Sequence, residues 1–326
     1  MPLVKIHKLT VPESAGGQRL DRWLAEQFPQ KSRAFFQKLI QQGNVQVDGK
    51  PARSSHRLEP GEQVVVTEPE EQPPILKPEP IALDIVYLDR HLVVVNKPAG
   101  LVVHPGAGQE RSTLVHALLY QVGTLSPIGA PLRAGIVHRL DKDTSGLLVV
   151  ARSELAHRHL ARQFAEKRAH REYLALVWHA MANEMGRIET FVNRSKRDRK
   201  LFTVAPAGKL AITEYHVLER FEFCTLLRLH LQTGRTHQIR IHLKHLNHPV
   251  FGDPQYGGRR QQLAQLRSAR QRQRALKLLG MIHRQALHAY KLGLVHPESG
   301  QWMEWEAPPP ADFQNVLEEL RSDATE

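Results

Sequence analysis

Residues 134–152 read AGIVHRLDKDTSGLLVVAR, and the rest of the larger part of the chain can be worked out from this stretch. The apolar run at 147–150 is short and unbroken, as in a strand buried on both faces. Just before it, a polar loop presents Asp141 on a turn, with Arg139 two residues earlier. Thr144 and Ser145 can hydrogen-bond to nearby backbone and steady that loop. Gly146 permits close packing or a positive φ. An Asp in a turn commonly does no more than cap backbone, and spacing alone leaves that reading open.

Working outward, strand-like segments recur at 83–89, 91–98, 146–152, 171–180, 211–221, 224–232 and 286–296. Residues 113–120 and 154–167 read as helices between them. Many strands with few helices, in irregular order, predict an α+β domain over residues 81–326 with a mixed, largely antiparallel sheet. The segment 259–279, RRQQLAQLRSARQRQRALKLL, is strongly basic and reads as one weakly amphipathic helix. Such helices are commonly solvated surface helices, and phosphate contact is the alternative.

The first 67 residues read as a separate small α/β module. Leu20, Trp23, Leu24 and Phe28 fall at helical spacing on a segment that ends near Pro29. Ser32 can cap a second helix carrying Phe35, Phe36, Leu39 and Ile40. Val45 and Val47 alternate ahead of Asp48-Gly49, a tight-turn pair, and a further short strand is expected at 64–66. The acidic, proline-rich stretch EPEEQPPILKPEP at 68–80 suits neither a helix interior nor a central strand and is expected to be a linker.

Lys and Arg total 45 against 33 Asp and Glu, a formal charge of +12. That excess favours a polyanionic partner, because basic groups near phosphates release condensed counterions. A merely basic enzyme fits the charge equally well. A single cysteine, Cys224, excludes an intramolecular disulfide and a cysteine-rich zinc site. The first residues lack a continuous apolar core of a secretory signal, and no apolar run could span a bilayer. A cytoplasmic protein with no membrane partner is expected, a monomer by default. Nucleotide-binding fingerprints and the Gly-x-Ser-x-Gly elbow are absent from the sequence.

HRLDKDTSGLL at 138–148 resembles the catalytic motif of the RNA pseudouridine synthases related to the ribosomal large-subunit enzymes. Other segments resemble that family in the expected order: NKPAGLVVHPGAG at 96–108, REYLALV at 171–177, TGRTHQIRIHL at 233–243, HPVFGDPQYGG at 248–258 and RQALHAYKLGLVHP at 284–297. The N-terminal module resembles the S4 RNA-binding domain. The resemblance implies a pseudouridine synthase fold and isomerisation of specific uridines in 23S ribosomal RNA, free or in the assembling large subunit. It implies no cofactor and no metal, since the reaction adds and removes nothing.

Residue by residue, the resemblance makes Asp141 the catalytic nucleophile or base and Arg240 its basic partner. Tyr173 would stack on the target base, Arg139 would fill the gap left by the flipped nucleotide, and Leu287 would wall the pocket, with Thr144 beside the substrate. These residue types suit the reaction. A base buried in RNA must be extruded, and a planar cation and an aromatic face offset the lost stacking. An arginine orients a carboxylate through its planar fork and favours its charged form.

Three other readings fit the residues less well. Asp141-Lys142-Asp143-Thr144-Ser145 loosely resembles the phosphatase loop of haloacid-dehalogenase-like enzymes, but His138 and Arg139 interrupt the strand that should precede it. His237, His242, His245 and His248 match no zinc spacing. A non-catalytic RNA-binding assembly factor would use the charge and the N-terminal module, but has no need of Asp141, Tyr173 and Arg240 together.

Overall fold

The apolar blocks at 92–95 and 147–150 lie side by side in one sheet, and every residue in both is buried. The computed structural model describes residues 4–69, 76–106, 108–199 and 201–322. The chain forms two compact units, Met1–Pro73 and Pro74–Glu326. Part of the expected linker, residues 70–75, lies outside the described residues.

In the first unit β1 (Val4–Thr10) precedes helices α1 (Leu20–Gln27) and α2 (Arg33–Gln41), then β2 (Val45–Val47), β3 (Lys50–Pro51) and β4 (Gln63–Pro69). The strands pair antiparallel in the order β1-β4-β2-β3. Ser32 caps α2, its Oγ accepting the Phe35 N–H at 3.3 Å. Asp48 and Gly49 both take positive φ, 48° and 75°, as a tight hairpin turn requires. Leu20, Trp23, Leu24, Phe36, Leu39 and Ile40 from the helices pack with Val45, Val64 and Val66 from the sheet into one core. Asp21 is fully buried there and accepts from Arg19, Arg33 and Gln37. Burial works against its charge, but those donors outweigh it and hold the carboxyl at about 2.

The second unit runs β5 (Asp84–Leu88), β6 (Leu92–Lys97), α3 (Leu114–Val122), β7 (Ser145–Ala151), α4 (Glu154–Ala165), β8 (His170–Trp178), β9 (Met185–Arg194) and β10 (Phe202–Ala205). It continues with β11 (Lys209–Arg220), β12 (Cys224–Leu231), α5 (Gln238–His245), α6 (Ala269–Met281), β13 (Leu287–Val295), β14 (Trp302–Glu306) and α7 (Ala311–Ser322). Ten strands make one mixed sheet, nine of them in the order β10-β9-β11-β12-β8-β13-β7-β6-β5, while β14 pairs with β13 beyond its short contact with β7. All pairs are antiparallel except β13 with β7.

The unbroken apolar runs of β6 and β7 follow from two-sided burial. Val93, Val95, Leu148 and Val150 face α3 and the larger core. Leu92, Val94, Leu147 and Val149 face α4 through Ala156 and Leu160. Each fully buried Val or Leu contributes about 1.5–3 kcal/mol. A third core joins Trp178 and Phe223 to α6 and α7.

The parallel junction of β13 and β7 is short, pairing His288 with Ser145 and Ala289 with Gly146. Gly146 makes it possible: its φ is 114°, and a Cβ there would lie 2.3 Å from the Ala289 carbonyl oxygen. This junction opens directly onto the loop that carries Asp141.

The segment expected as one helix at 259–279 is instead a 3-10 turn, Arg260–Gln265, followed by α6. Ser268 breaks it by forming a capping box with Gln271, which starts a new helix at Ala269. The buried face of α6 is Ala275, Leu278 and Leu279.

Candidate active site

The loop that presents Asp141 is pinned from several directions. The Thr144 N–H donates to the Asp141 carbonyl at 3.1 Å and closes the turn. The Lys142 carbonyl accepts from Gly100 N–H at 2.9 Å and from Lys97 Nζ at 3.0 Å. Lys97 is fully buried and also donates to the carbonyls of Pro98 and Leu101, at 2.8 and 3.0 Å. Burial pulls its ammonium down to about 7, against the opposing fields of Asp143 and Asp141.

The loop's far end is held by the segment entering β13. Arg284 grips Asp312 with two bonds of 2.7 Å and donates to the Asp143 carbonyl at 3.2 Å. Gln285 Nε2 donates to Thr144 Oγ1 at 3.2 Å. His288 Nε2 lies 2.9 Å from the Ala307 carbonyl, so it carries the proton, and Nδ1 accepts from the Ser145 hydroxyl at 2.9 Å. The Thr144 and Ser145 hydroxyls therefore bond to a distant segment, whereas the sequence suggested local backbone. Contacts across 141 and 143 residues of chain leave no trace in local spacing.

The opposite wall is α5. Its entry residue His237 sits in the left-handed region, φ 56°. Gln238 anchors the helix, donating to the Ile212 carbonyl and Thr213 Oγ1 and accepting from Thr233 and the Arg235 N–H. Arg240 is 3% exposed. Its Nε and Nη2 fork Asp253 at 2.7 and 3.0 Å, Nη2 also reaches Gln255 at 2.7 Å, and Nη1 reaches Asp141 Oδ2 at 3.1 Å. Burial disfavours its charge, but the hydrogen bonds and fields of Asp253 and Asp141 prevail and raise its pKa. Asp253 is itself fully buried and accepts from the Gln255 and Tyr256 N–H groups.

A second approach to Asp141 comes from His237, whose Nε2 lies 3.9 Å from Asp141 Oδ1. The Tyr256 hydroxyl accepts the Phe202 N–H at 3.1 Å and lies 2.8 Å from His237 Nδ1. With its oxygen taken by that backbone donor, the hydroxyl gives its own proton to Nδ1, leaving Nε2–H aimed at Asp141. Burial lowers the pKa of His237, against the field of Asp141, and favours this neutral form.

Asp141, Arg240, Tyr173, Arg139, Leu287 and Thr144 all line one pocket of about 370 Å³. Asp141 is 16% exposed at its mouth, Arg139 is exposed on the rim, and Tyr173 and Leu287 are buried in its apolar wall. Burial pushes the Tyr173 phenol up. Asp253, Gln255, His237, Tyr256 and Lys97 belong to the same machinery, and none was assigned a role in the pocket from the sequence, although each lies in a quoted motif. Of the remaining histidines, His242 bridges Thr190 and Thr213, and His248 bonds the Trp178 carbonyl. Among the described residues no three His, Cys, Asp or Glu side chains are placed to hold a metal ion. Asp253 is occupied by Arg240.

The RNA pseudouridylate synthase family profile matches residues 91–245, and the S4 domain profile matches residues 18–64. The chain is 43% identical over 319 residues to the ribosomal large subunit pseudouridine synthase D of Escherichia coli strain K12, covering 97% of this chain and 95% of that one. It is 41% identical over 313 residues to the uncharacterized RNA pseudouridine synthase YlyB of Bacillus subtilis, covering 96% and 97%. Among solved structures, human RNA pseudouridylate synthase domain containing 1 superposes with a TM-score of 0.53 at 25% identity, covering 75% of this chain and 98% of that chain. With its carboxylate held against a buried arginine beside a pocket that Tyr173 and Leu287 help to wall, the chain belongs to the RNA pseudouridylate synthase family and carries an S4 domain ahead of the catalytic unit.

Proposed function

We propose that this protein isomerises uridines to pseudouridine in large-subunit ribosomal RNA, with Asp141 as the acting carboxylate. The observation that carries this reading is the Arg240–Asp141 contact of 3.1 Å at the mouth of a pocket walled by Tyr173 and Leu287. Arg240 keeps Asp141 ionised and aimed, Tyr173 offers its ring to the extruded base, and Leu287 and Thr144 close the pocket around it. Arg139, on the rim, occupies the vacancy in the RNA helix. The choice of large-subunit RNA rests on the relatives carrying that name.

A second cleft, of about 810 Å³, supports a polyanionic substrate. Arg194, Lys196, Arg197 and Lys244 line it, and none of the described residues lining it is acidic. We assign the activity to a monomer working in the cytoplasm on free ribosomal RNA or on the assembling large subunit. A binding factor alone would have no use for a carboxylate held by a buried guanidinium beside such a pocket.

The test compares large-subunit RNA from cells with the protein, without it, and with Asp141→Asn, mapping modified uridines chemically. The expected result is loss of the same pseudouridines in the last two, with RNA binding retained by the variant. Unchanged pseudouridine in cells lacking the protein overturns the assignment.

A further inference from the structure

Three arginines are buried among the described residues: Arg240, Arg284 and Arg171. The first two hold a carboxylate in a two-pronged grip, Asp253 and Asp312. Arg171 is 7% exposed and, among the described residues, has no carboxylate within ion-pair distance. Its hydrogen bond is to the Leu231 carbonyl, 3.2 Å from Nη2, and its Nε has no hydrogen-bond partner. The other compensation among the described residues is the face of Phe164, 5.3 Å from the guanidinium carbon. A buried cation lacking an anion costs several kcal/mol. Burial accordingly lowers its pKa.

The location of this cation explains why the cost is tolerated. Arg171 lies on β8 two residues before Tyr173, and side chains at that spacing share a face. Both line the pocket that holds Asp141. Gly234, in the loop before α5, leaves room for the guanidinium: a Cβ there would come within 3.0 Å of Arg171 Nη1. The site thus contains a preorganised positive charge that lacks an anion until substrate arrives.

The reaction supplies that anion. Heterolysis of the N1–C1′ bond leaves the bonding pair on N1, so the uracil carries a negative charge spread over N1 and its carbonyl oxygens. The charge persists until C5 bonds to C1′ and the proton displaced from C5 is restored to N1, with no net change in composition. We propose that Arg171 is the electrostatic partner of the detached uracil, stabilising its negative charge between release through N1 and recapture through C5. This rests on the pseudouridine synthase reading of the site. Fixed charge aimed at developing charge in a dry pocket is commonly the largest contribution to catalysis. It also retains the free base, which no covalent bond to the RNA then holds.

The experiment is single-turnover reaction of two in vitro large-subunit rRNA transcripts, one with uridine and one with 5-fluorouridine, read by nucleoside chromatography as loss of the parent N1-linked nucleoside, because C5 of 5-fluorouridine has no proton to lose and its rearranged product keeps the fluorine. Fluorine withdraws electrons and steadies the uracil anion, so it replaces part of what Arg171 supplies. Arg171→Gln is expected to slow the uridine transcript by about 10²–10³ and the fluorinated one by at least about tenfold less. Arg171→Lys, which keeps the charge without the fork, is expected to fall between. Comparing two RNAs on one enzyme preparation cancels any loss of folded protein. Equal slowing of both transcripts, or a loss confined to RNA affinity, overturns the proposal. Wild-type protein that converts neither transcript would instead sink the parent reading.

Discussion

Arg240 reaches Asp141 with the one terminal nitrogen that Asp253 leaves free. Asp253 takes Nε and Nη2, and Nη1 points at the Asp141 carboxylate. The fully buried aspartate therefore sets the angle at which the partly exposed one is met.

Asp253→Asn keeps the shape but removes the charge that holds the fork. Misplacing a catalytic group by about 1 Å costs on the order of 10²-fold in rate. The variant is expected to lose kcat by roughly tenfold to a hundredfold while RNA affinity changes little. Breaking a buried pair also costs about 3–5 kcal/mol, so its melting temperature should fall. Steady-state kinetics beside thermal unfolding checks both; an unchanged kcat would mean Arg240 needs no such brace.

Lys97→Met removes three hydrogen bonds from under the Asp141 loop at once. The Pro98, Leu101 and Lys142 carbonyls are left without that donor, each at about 1–3 kcal/mol where water cannot replace it. Expected are loss of several kcal/mol in stability and a fall in kcat, measured by denaturant unfolding and turnover.

Gly146→Ala tests the parallel junction. The new methyl would meet the Ala289 carbonyl at 2.3 Å, on a backbone with φ of 114°. Strain of this kind costs about 1–3 kcal/mol for the backbone alone, before the clash is relieved by parting β7 from β13. The expected outcome is a large drop in melting temperature, with residual folded protein inactive because Thr144 and Asp141 move with the strand.

Acid should act on the N-terminal unit through Asp21. Its folded value of about 2 lies below the ordinary 3.8. A carboxyl depressed in this way adds stability that is complete above about pH 4 and is lost as pH falls toward 2, on the order of 2 kcal/mol. Asp21→Asn should flatten that part of the stability profile, as followed by Trp23 fluorescence between pH 5 and pH 2.

The sequence reveals this molecule best where one face or both faces of an element are apolar. The runs in β6 and β7, the spacing in α1 and the Ser32 cap are local signals, and each marks an element found in the structure. β1, β9, β10, β14, α5 and α7 were not anticipated. β9 alternates with charged and polar residues on an exposed face, and β10 spans four residues. α5 has eight residues and no side-chain cap, because its entry residue His237 is left-handed. Of the site, the motif residues could be quoted, but the fork from Asp253 spans 13 residues and the Asp141 contact spans 99. The charge imbalance at Arg171 is invisible in sequence, because it consists of a missing partner.

The straps from Arg284 and Gln285 to the Asp143–Thr144 edge of the loop also set a schedule for biosynthesis. A chain emerging from the ribosome carries its catalytic loop long before the residues that brace it, and the intervening entropy must be overcome before those distant contacts form. Asp141 is therefore braced only when the last part of the catalytic unit has been made, so a nascent or truncated chain that lacks residues 284 and 285 presents its carboxylate on an unbraced loop.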